Sequence, residues 1–138
     1  MKIPKAQWLL DVEKGEVDLY SIAGLFLDPT LGKTPLAVAF SGYFKFDRKN
    51  YRIGAGQICD YYGISRIEDG FMERDLLEFE KRYEGRNCTI SYRFRKKGKI
   101  WTGHFVSPRV NGEHPIEAIV TLVDADAFHV VDGRMRNV

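Results

Sequence analysis

Cysteine is scarce in this chain, with Cys59 and Cys88 the only two. Two thiols in 138 residues make no disulfide scaffold, and they lack the C-x-x-C spacing of redox or zinc sites, so both are expected as buried or half-buried free thiols. Histidine is equally sparse: His104, His114 and His129 share no H-x-H, H-x-x-x-H or H-E-x-x-H spacing, and a metal site would need chance convergence with Asp124 or Asp126. No metal is expected. Excess charge is missing too, because 21 basic residues face 19 acidic ones for a net +2, leaving no overall field toward nucleic acid or an anionic membrane. Neither is expected as a partner. Long apolar runs are absent; stretches such as Ala37 to Phe40 fall far short of the roughly 20 residues that span a bilayer. Near the start, Trp8, Leu9 and Leu10 follow Lys2 and Lys5, but Asp11, Glu13 and Lys14 interrupt before a secretory core can form. A cytoplasmic location is the expectation. Gly54-Ala55-Gly56 lacks the third glycine and following helix of a dinucleotide loop, so no cofactor is expected.

What the chain does have is apolar and aromatic material, 44% and 13% of its residues, enough to offset the entropy of ordering one domain without staples. The domain is expected to span residues 1–138, with a helical or irregular segment over 1–35 and a β-meander over 36–131. A short helix is predicted in the first 15 residues, where Pro4 suits a first helical turn, Ala6, Trp8, Leu9, Leu10 and Val12 follow, and Gly15 stops the segment. Val17 to Leu27 fits neither period cleanly before Asp28-Pro29 ends it.

From Leu36 the pattern clears. Val38, Phe40, Gly42, Phe44 and Phe46 fall on one face, and Cys88, Ile90, Tyr92 and Phe94 repeat the alternation before the Lys96-Lys97-Gly98-Lys99 turn and a strand over Ile100 to Val106. Ile116 to Val123 is apolar on much of both faces, and a last short strand is predicted over Phe128 to Val131. Between Gly54 and Ser107-Pro108 lie six turn signals: Gly54-Ala55-Gly56, Asp60-Tyr61-Tyr62-Gly63, Asp69-Gly70, Glu84-Gly85-Arg86-Asn87, Lys96 to Lys99, and Ser107-Pro108. One segment is contested. Met72, Leu76, Phe79 and Tyr83 sit at helical spacing, whereas Leu77, Phe79 and Tyr83 share a strand face that would pair with Cys88 to Phe94. Read as a strand, Leu76 to Tyr83 completes about eight strands, the count of a mainly β, antiparallel up-and-down barrel.

The order Gly54-x-Gly56-x-x-x-Asp60-x-x-Gly63-x-x-x-Ile67, then Phe79-x-Lys81-x-Tyr83, then Tyr92, then Ile100 and Gly103, resembles the meander of lipocalin-like and avidin-like (calycin) barrels. The resemblance covers roughly the middle 50 residues and implies the fold, with small-ligand binding as a class expectation. It transfers no site residue, since the chain has neither a lipocalin G-x-W near its start nor an arginine pair placed with a tyrosine for a fatty-acid carboxylate.

A closed eight-stranded barrel is either just filled by side chains or wide enough for one small ligand. The inward set read from the alternation is Phe40, Phe44, Phe46, Phe79, Tyr83, Ile90, Tyr92, Phe94, Trp101 and Phe105. Those rings could fill the interior or line a pocket. The expected ligand is small, apolar and suited to a carboxylate, held by Phe44, Phe79, Tyr83, Tyr92 and Trp101, with no catalytic residue assigned; Tyr43 joins Tyr83 and Tyr92 as a hydroxyl that could orient it. Two alternatives remain open. The basic turn Arg93, Arg95, Lys96, Lys97, Lys99 and the acidic set Glu68, Asp69, Glu73, Asp75, Glu78, Glu80 suggest segregated surface charge that docks a protein partner or a second copy in a homodimer. A small barrel enzyme would use Asp60 with His104, or a tyrosine, as acid and base, or a cysteine as nucleophile.

Overall fold

Eight strands follow one another in the computed structural model, which describes residues 14–15, 17–30 and 33–123, and the backbone of 130–131 and 134–135. They are β1 (Asp18–Asp28), β2 (Leu36–Asp47), β3 (Arg52–Asp60), β4 (Gly63–Glu73), β5 (Leu76–Tyr83), β6 (Thr89–Lys97), β7 (Ile100–Ser107) and β8 (Val110–Leu122). Each pairs antiparallel with the next, and β8 returns to β1 through registers such as Ile22 with Val120, closing the barrel. A two-stranded ribbon of β9 (Val130–Val131) and β10 (Arg134–Met135) follows. The expected helix before Gly15 lies outside the described residues, as do Phe128 and His129 of the expected last strand; Val130 and Val131 are strand.

The contested segment is a strand because its inward residues find partners on both sides. On β5, Leu77, Phe79 and Tyr83 are buried, and the strand pairs with β4 and β6 through Phe79 opposite Gly70 and Tyr92. The apparent helical spacing arose from joining two strands: β4 runs through Met72 to Glu73, and Arg74, at φ 53°, makes the turn. Val17 to Leu27 also resolves as strand, β1, within the stretch expected as helical or irregular. Its alternation was masked because Gly24 and Asp28 occupy inward positions while Leu25 and Leu27 point outward.

Two of the six turn signals are not turns. Gly54-Ala55-Gly56 lies inside β3 at a shift in its register with β2, where Ala55 takes φ 47°, and Asp69-Gly70 lies inside β4 beside a second register shift. Such bulges and strand glycines bend a sheet enough to close it. Gly70 shows why: a Cβ there would stand 2.4 Å from the Glu78 carbonyl oxygen and 2.7 Å from the Phe79 Cβ.

The ten residues read as inward are all buried. Phe79 stacks on Tyr92 at 4.9 Å between centroids, Tyr20 stacks on Phe44 at 5.5 Å, and Phe26 meets Phe105 edge-on at 5.4 Å. Rings thus fill most of the interior. Up-and-down order places the β1/β2, β3/β4, β5/β6 and β7/β8 connections at one mouth, and the Lys96 to Lys99 turn at the opposite one.

Candidate functional site

The mouth formed by those four connections holds a cavity of about 300 Å³, room for about ten waters at ~30 Å³ each. Phe26, Ile90, Tyr92 and Phe105 form its apolar wall; Asp28, Tyr62, Tyr83, Arg86 and Arg109 bring polar groups to the same space. A larger depression of about 930 Å³ lies over the outside of β4 to β8, but outward side chains such as Glu78, Arg93, His104 and Glu117 line it, so it is an open groove over the sheet. The mouth cavity has the apolar walls and convergent polar groups of a ligand site.

Turn chemistry builds its polar side. Asp60 ends β3, and its Oδ1 accepts the Tyr62 backbone N–H at 2.8 Å, stabilising the tight Tyr61-Tyr62 turn that sets the Tyr62 ring at the rim. Asp28 ends β1 in the same way: Oδ1 accepts from the Thr30 backbone N–H at 2.8 Å and its hydroxyl at 2.6 Å. The Tyr62 hydroxyl donates to Asp28 Oδ2, tying the first connection to the second. Burial acts upward on the Asp28 carboxyl, but the bonds from Thr30 and Tyr62 outweigh it and hold the group below its ordinary value.

Behind the cavity wall sits an enclosed ion pair. Lys81, between Phe79 and Tyr83 on the inward face of β5, donates from Nζ to Asp60 Oδ2 and to the Tyr83 hydroxyl, each at 3.0 Å. Tyr83 in turn donates to Asp60 Oδ2 at 2.5 Å. The Lys81 and Asp60 side chains are 2% and 0% exposed, so water screens neither charge. Nζ also stands 4.6 Å from the Tyr83 ring centroid, 5.1 Å from Tyr92 and 5.8 Å from Phe26, three residues that also line the cavity. Burial pushes the Lys81 ammonium below its ordinary pKa, with Asp60 opposing, while burial and the Asp60 bond raise the Tyr83 phenol; burial raises Tyr92 as well. The chemistry available is hydrogen bonding from a preorganised network, with the Arg86 guanidinium 5.4 Å above the Tyr83 ring.

Of the residues expected to hold a ligand, the structure brings Tyr83 and Tyr92 to the cavity. Phe44, Phe79 and Trp101 are buried in the packed interior away from it, and Tyr43 faces outward at 36% exposure. Asp60 does not meet His104: its carboxylate is enclosed with Lys81 and Tyr83, whereas His104 points out from β7. Both cysteines are free; Cys88 lies half-buried at the mouth as expected, but Cys59 is exposed, because it falls on the outward face of β3. His114 packs on Phe105 at 5.3 Å, and its Nε2 has no hydrogen-bond partner among the described residues. No cluster of three or more metal-ligating side chains occurs among the described residues.

Strand pairing interleaves part of the surface charge that was expected to be segregated: Glu78 meets Arg93 at 3.1 Å, Asp69 meets Arg52 at 2.5 Å and Glu68 meets Arg82 at 3.3 Å, so three of the six acidic residues, and Arg93 of the basic turn, pair with opposite charges on an adjoining strand. Gly32-Lys33-Thr34 is no phosphate loop, since Leu27 stands where its first glycine belongs and strand β2 follows in place of a helix.

Sequence reasoning missed Lys81, Asp28, Tyr62, Arg86 and Arg109. For Lys81 the signal was present, because alternation with Phe79 and Tyr83 assigns it inward. Asp28 closes β1, whose alternation was masked, and Tyr62, Arg86 and Arg109 sit at turns, where no period applies. No family model matches the sequence, and no curated protein matches it either. No helix among the described residues is long and apolar enough to cross a membrane.

Proposed function

We propose that this protein is a non-enzymatic, lipocalin-like carrier that holds one small, largely apolar molecule at the barrel mouth. The observation that carries the reading is the cavity of about 300 Å³, walled by Phe26, Ile90, Tyr92 and Phe105 at the end where four connections meet. Arg86 and Arg109 at its rim outnumber the one carboxylate there, Asp28, which is already bonded to Thr30 and Tyr62. That balance favours a ligand whose polar end is anionic, a carboxylate above all. Polar ends of this kind orient a ligand whose affinity comes from the apolar wall. The interior beyond holds the buried rings of Phe44, Phe79 and Trp101, of which Phe79 stacks on Tyr92 of the wall.

Titration with anilinonaphthalene sulfonate, an anionic aromatic probe, and native mass spectrometry against a panel of small aryl and medium-chain carboxylates test this. One molecule bound per chain is expected. Replacing half-buried Cys88 by Trp fills the mouth from its rim and is expected to weaken binding at least tenfold with the fold intact by circular dichroism. No bound carboxylate at any concentration, or binding indifferent to Cys88→Trp, sinks the proposal.

A further inference from the structure

Three tyrosines line the mouth cavity: Tyr62, Tyr83 and Tyr92. Two of their hydroxyls are engaged, since Tyr62 donates to Asp28, and Tyr83 donates to Asp60 while accepting from Lys81. The third is free. The Tyr92 hydroxyl has no hydrogen-bond partner among the described residues, although Tyr92 is only 5% exposed. Phe79 on β5 and Phe105 on β7 stack on its ring, at 4.9 Å and 5.8 Å between centroids, and register sets them on opposite sides of Tyr92. Both ring faces are therefore covered, which leaves the edge bearing the hydroxyl to line the cavity. His114 Nε2 is a second unpartnered atom close by, but it is sealed within protein and His114 is not part of the cavity wall. The Tyr92 oxygen is not sealed in. A hydroxyl taken from bulk water with no partner to replace it costs free energy, and folded proteins rarely leave one so.

We propose, resting on the carrier reading above, that the Tyr92 hydroxyl is the inner polar contact of the ligand site, and that the molecule held there carries a neutral oxygen acceptor, a ketone or a hydroxyl, within its apolar body. The two polar positions of the cavity call for different groups. Arg86 and Arg109 favour an anion at the rim. At Tyr92, burial raises the phenol well above its ordinary value, and Tyr83 and Asp60 add to the rise, so the group stays a neutral donor and the spot disfavours a second negative charge. A neutral oxygen takes that proton without bringing charge. Selectivity follows from the same geometry, because an analogue without the oxygen leaves the hydroxyl buried and unpaired, whereas an apolar wall discriminates poorly among hydrocarbon shapes. The ligand class is then oxygenated, otherwise apolar carboxylates.

Calorimetric titration of the full chain with four probes reads the result. Phenylbutyrate is the plain carboxylate; benzoylpropionate adds a ketone beside the ring, hydroxyphenylbutyrate adds a hydroxyl at its far end, and butyrophenone keeps the ketone without the carboxylate. At least one of the two oxygenated carboxylates is expected to bind about tenfold more tightly than phenylbutyrate, and Tyr92→Phe is expected to remove that preference. Equal affinities in the wild type overturn the proposal, as does a preference that survives Tyr92→Phe. Carboxylate binding that ignores Tyr92 leaves the carrier reading standing, whereas butyrophenone bound through Tyr92 with every carboxylate unbound refutes the anionic end and keeps the inner contact. No binding by any of the four overturns both. Stability supplies a check without ligand. Tyr92→Phe keeps the ring and deletes an unbonded hydroxyl, so its denaturation midpoint is expected to match or exceed that of the wild type, while Tyr83→Phe, which deletes a hydroxyl bonded twice, lowers it. A midpoint lowered by Tyr92→Phe means that the hydroxyl is already engaged within the protein, and overturns the proposal.

Discussion

Lys81 and Asp60 carry more electrostatic consequence than any other pair of side chains described. A buried pair gains little net stability, but removing one partner strands the other's charge in the core, at about 3–5 kcal/mol. Lys81→Met is therefore expected to cost about 3 kcal/mol in chemical denaturation, and adding Asp60→Asn should recover part of the loss. A double variant no more stable than Lys81→Met would show that the pair is not coupled. Titration gives a second check. Tyr83 and Tyr92 have phenols raised above the ordinary value of 10.0, so folding binds their protons more tightly than unfolding does. Their contribution is complete below pH 10 and lost as pH rises beyond it, and phenolate absorbance should appear together with alkaline unfolding. Asp28 runs the other way: its carboxyl is held below 3.8, so its contribution is present above that pH and lost as pH falls through the lower folded value. Thr30→Val, which deletes the hydroxyl bond, should cost about 0.5–1.5 kcal/mol near neutrality and shift the acid transition to higher pH.

At the scale of the element, glycine pairs and bulges separate what alternation shows from what closure requires. Gly54 and Gly70 both read as turn residues, and both lie inside strands. A Cβ at Gly54 would meet nothing within 4 Å, whereas one at Gly70 would stand 2.4 Å from the Glu78 carbonyl oxygen. Thermal melts should separate them: Gly54→Ala close to wild type, Gly70→Ala destabilised by about 2 kcal/mol or more as β4 and β5 are forced apart. Equal effects would refute the close-approach account. Strand assignment was legible wherever one face is aromatic and the other polar, as in Ile90, Tyr92 and Phe94 of β6. It was obscured in β1, where the outward face carries leucines and the inward face carries Gly24 and Asp28. The outward apolar residues that hid the strand, Leu25 and Leu27, are exposed on the barrel's outer face.

For the whole molecule, one aromatic core joins all eight strands, from Ile22 and Phe26 of β1 to Ile116 and Ala118 of β8. No strand owns a separate core, so unfolding should be a single transition in which tryptophan fluorescence and far-ultraviolet circular dichroism coincide. Ile116, 2% exposed on the closing strand, makes the sharpest test. Ile116→Ala is expected to cost about 2–5 kcal/mol and to lower the midpoint of both probes together. Separation of the two probes would mean that β8 can detach while the remaining strands stay folded.

Local sequence determined the cleanly alternating strands β2, β6 and β7 and the inward ring set, because alternation is written residue by residue and needs no distant partner. Tertiary structure alone decided which end of the barrel is hollow, since that depends on four connections, separated along the chain, meeting at one mouth. It also decided that Lys81 finds Asp60, 21 positions away, and that Glu78 of the acidic stretch pairs with Arg93 of the basic turn across strands. Antiparallel pairing brings together residues whose separation depends on the intervening loops and bulges, a quantity no local period contains.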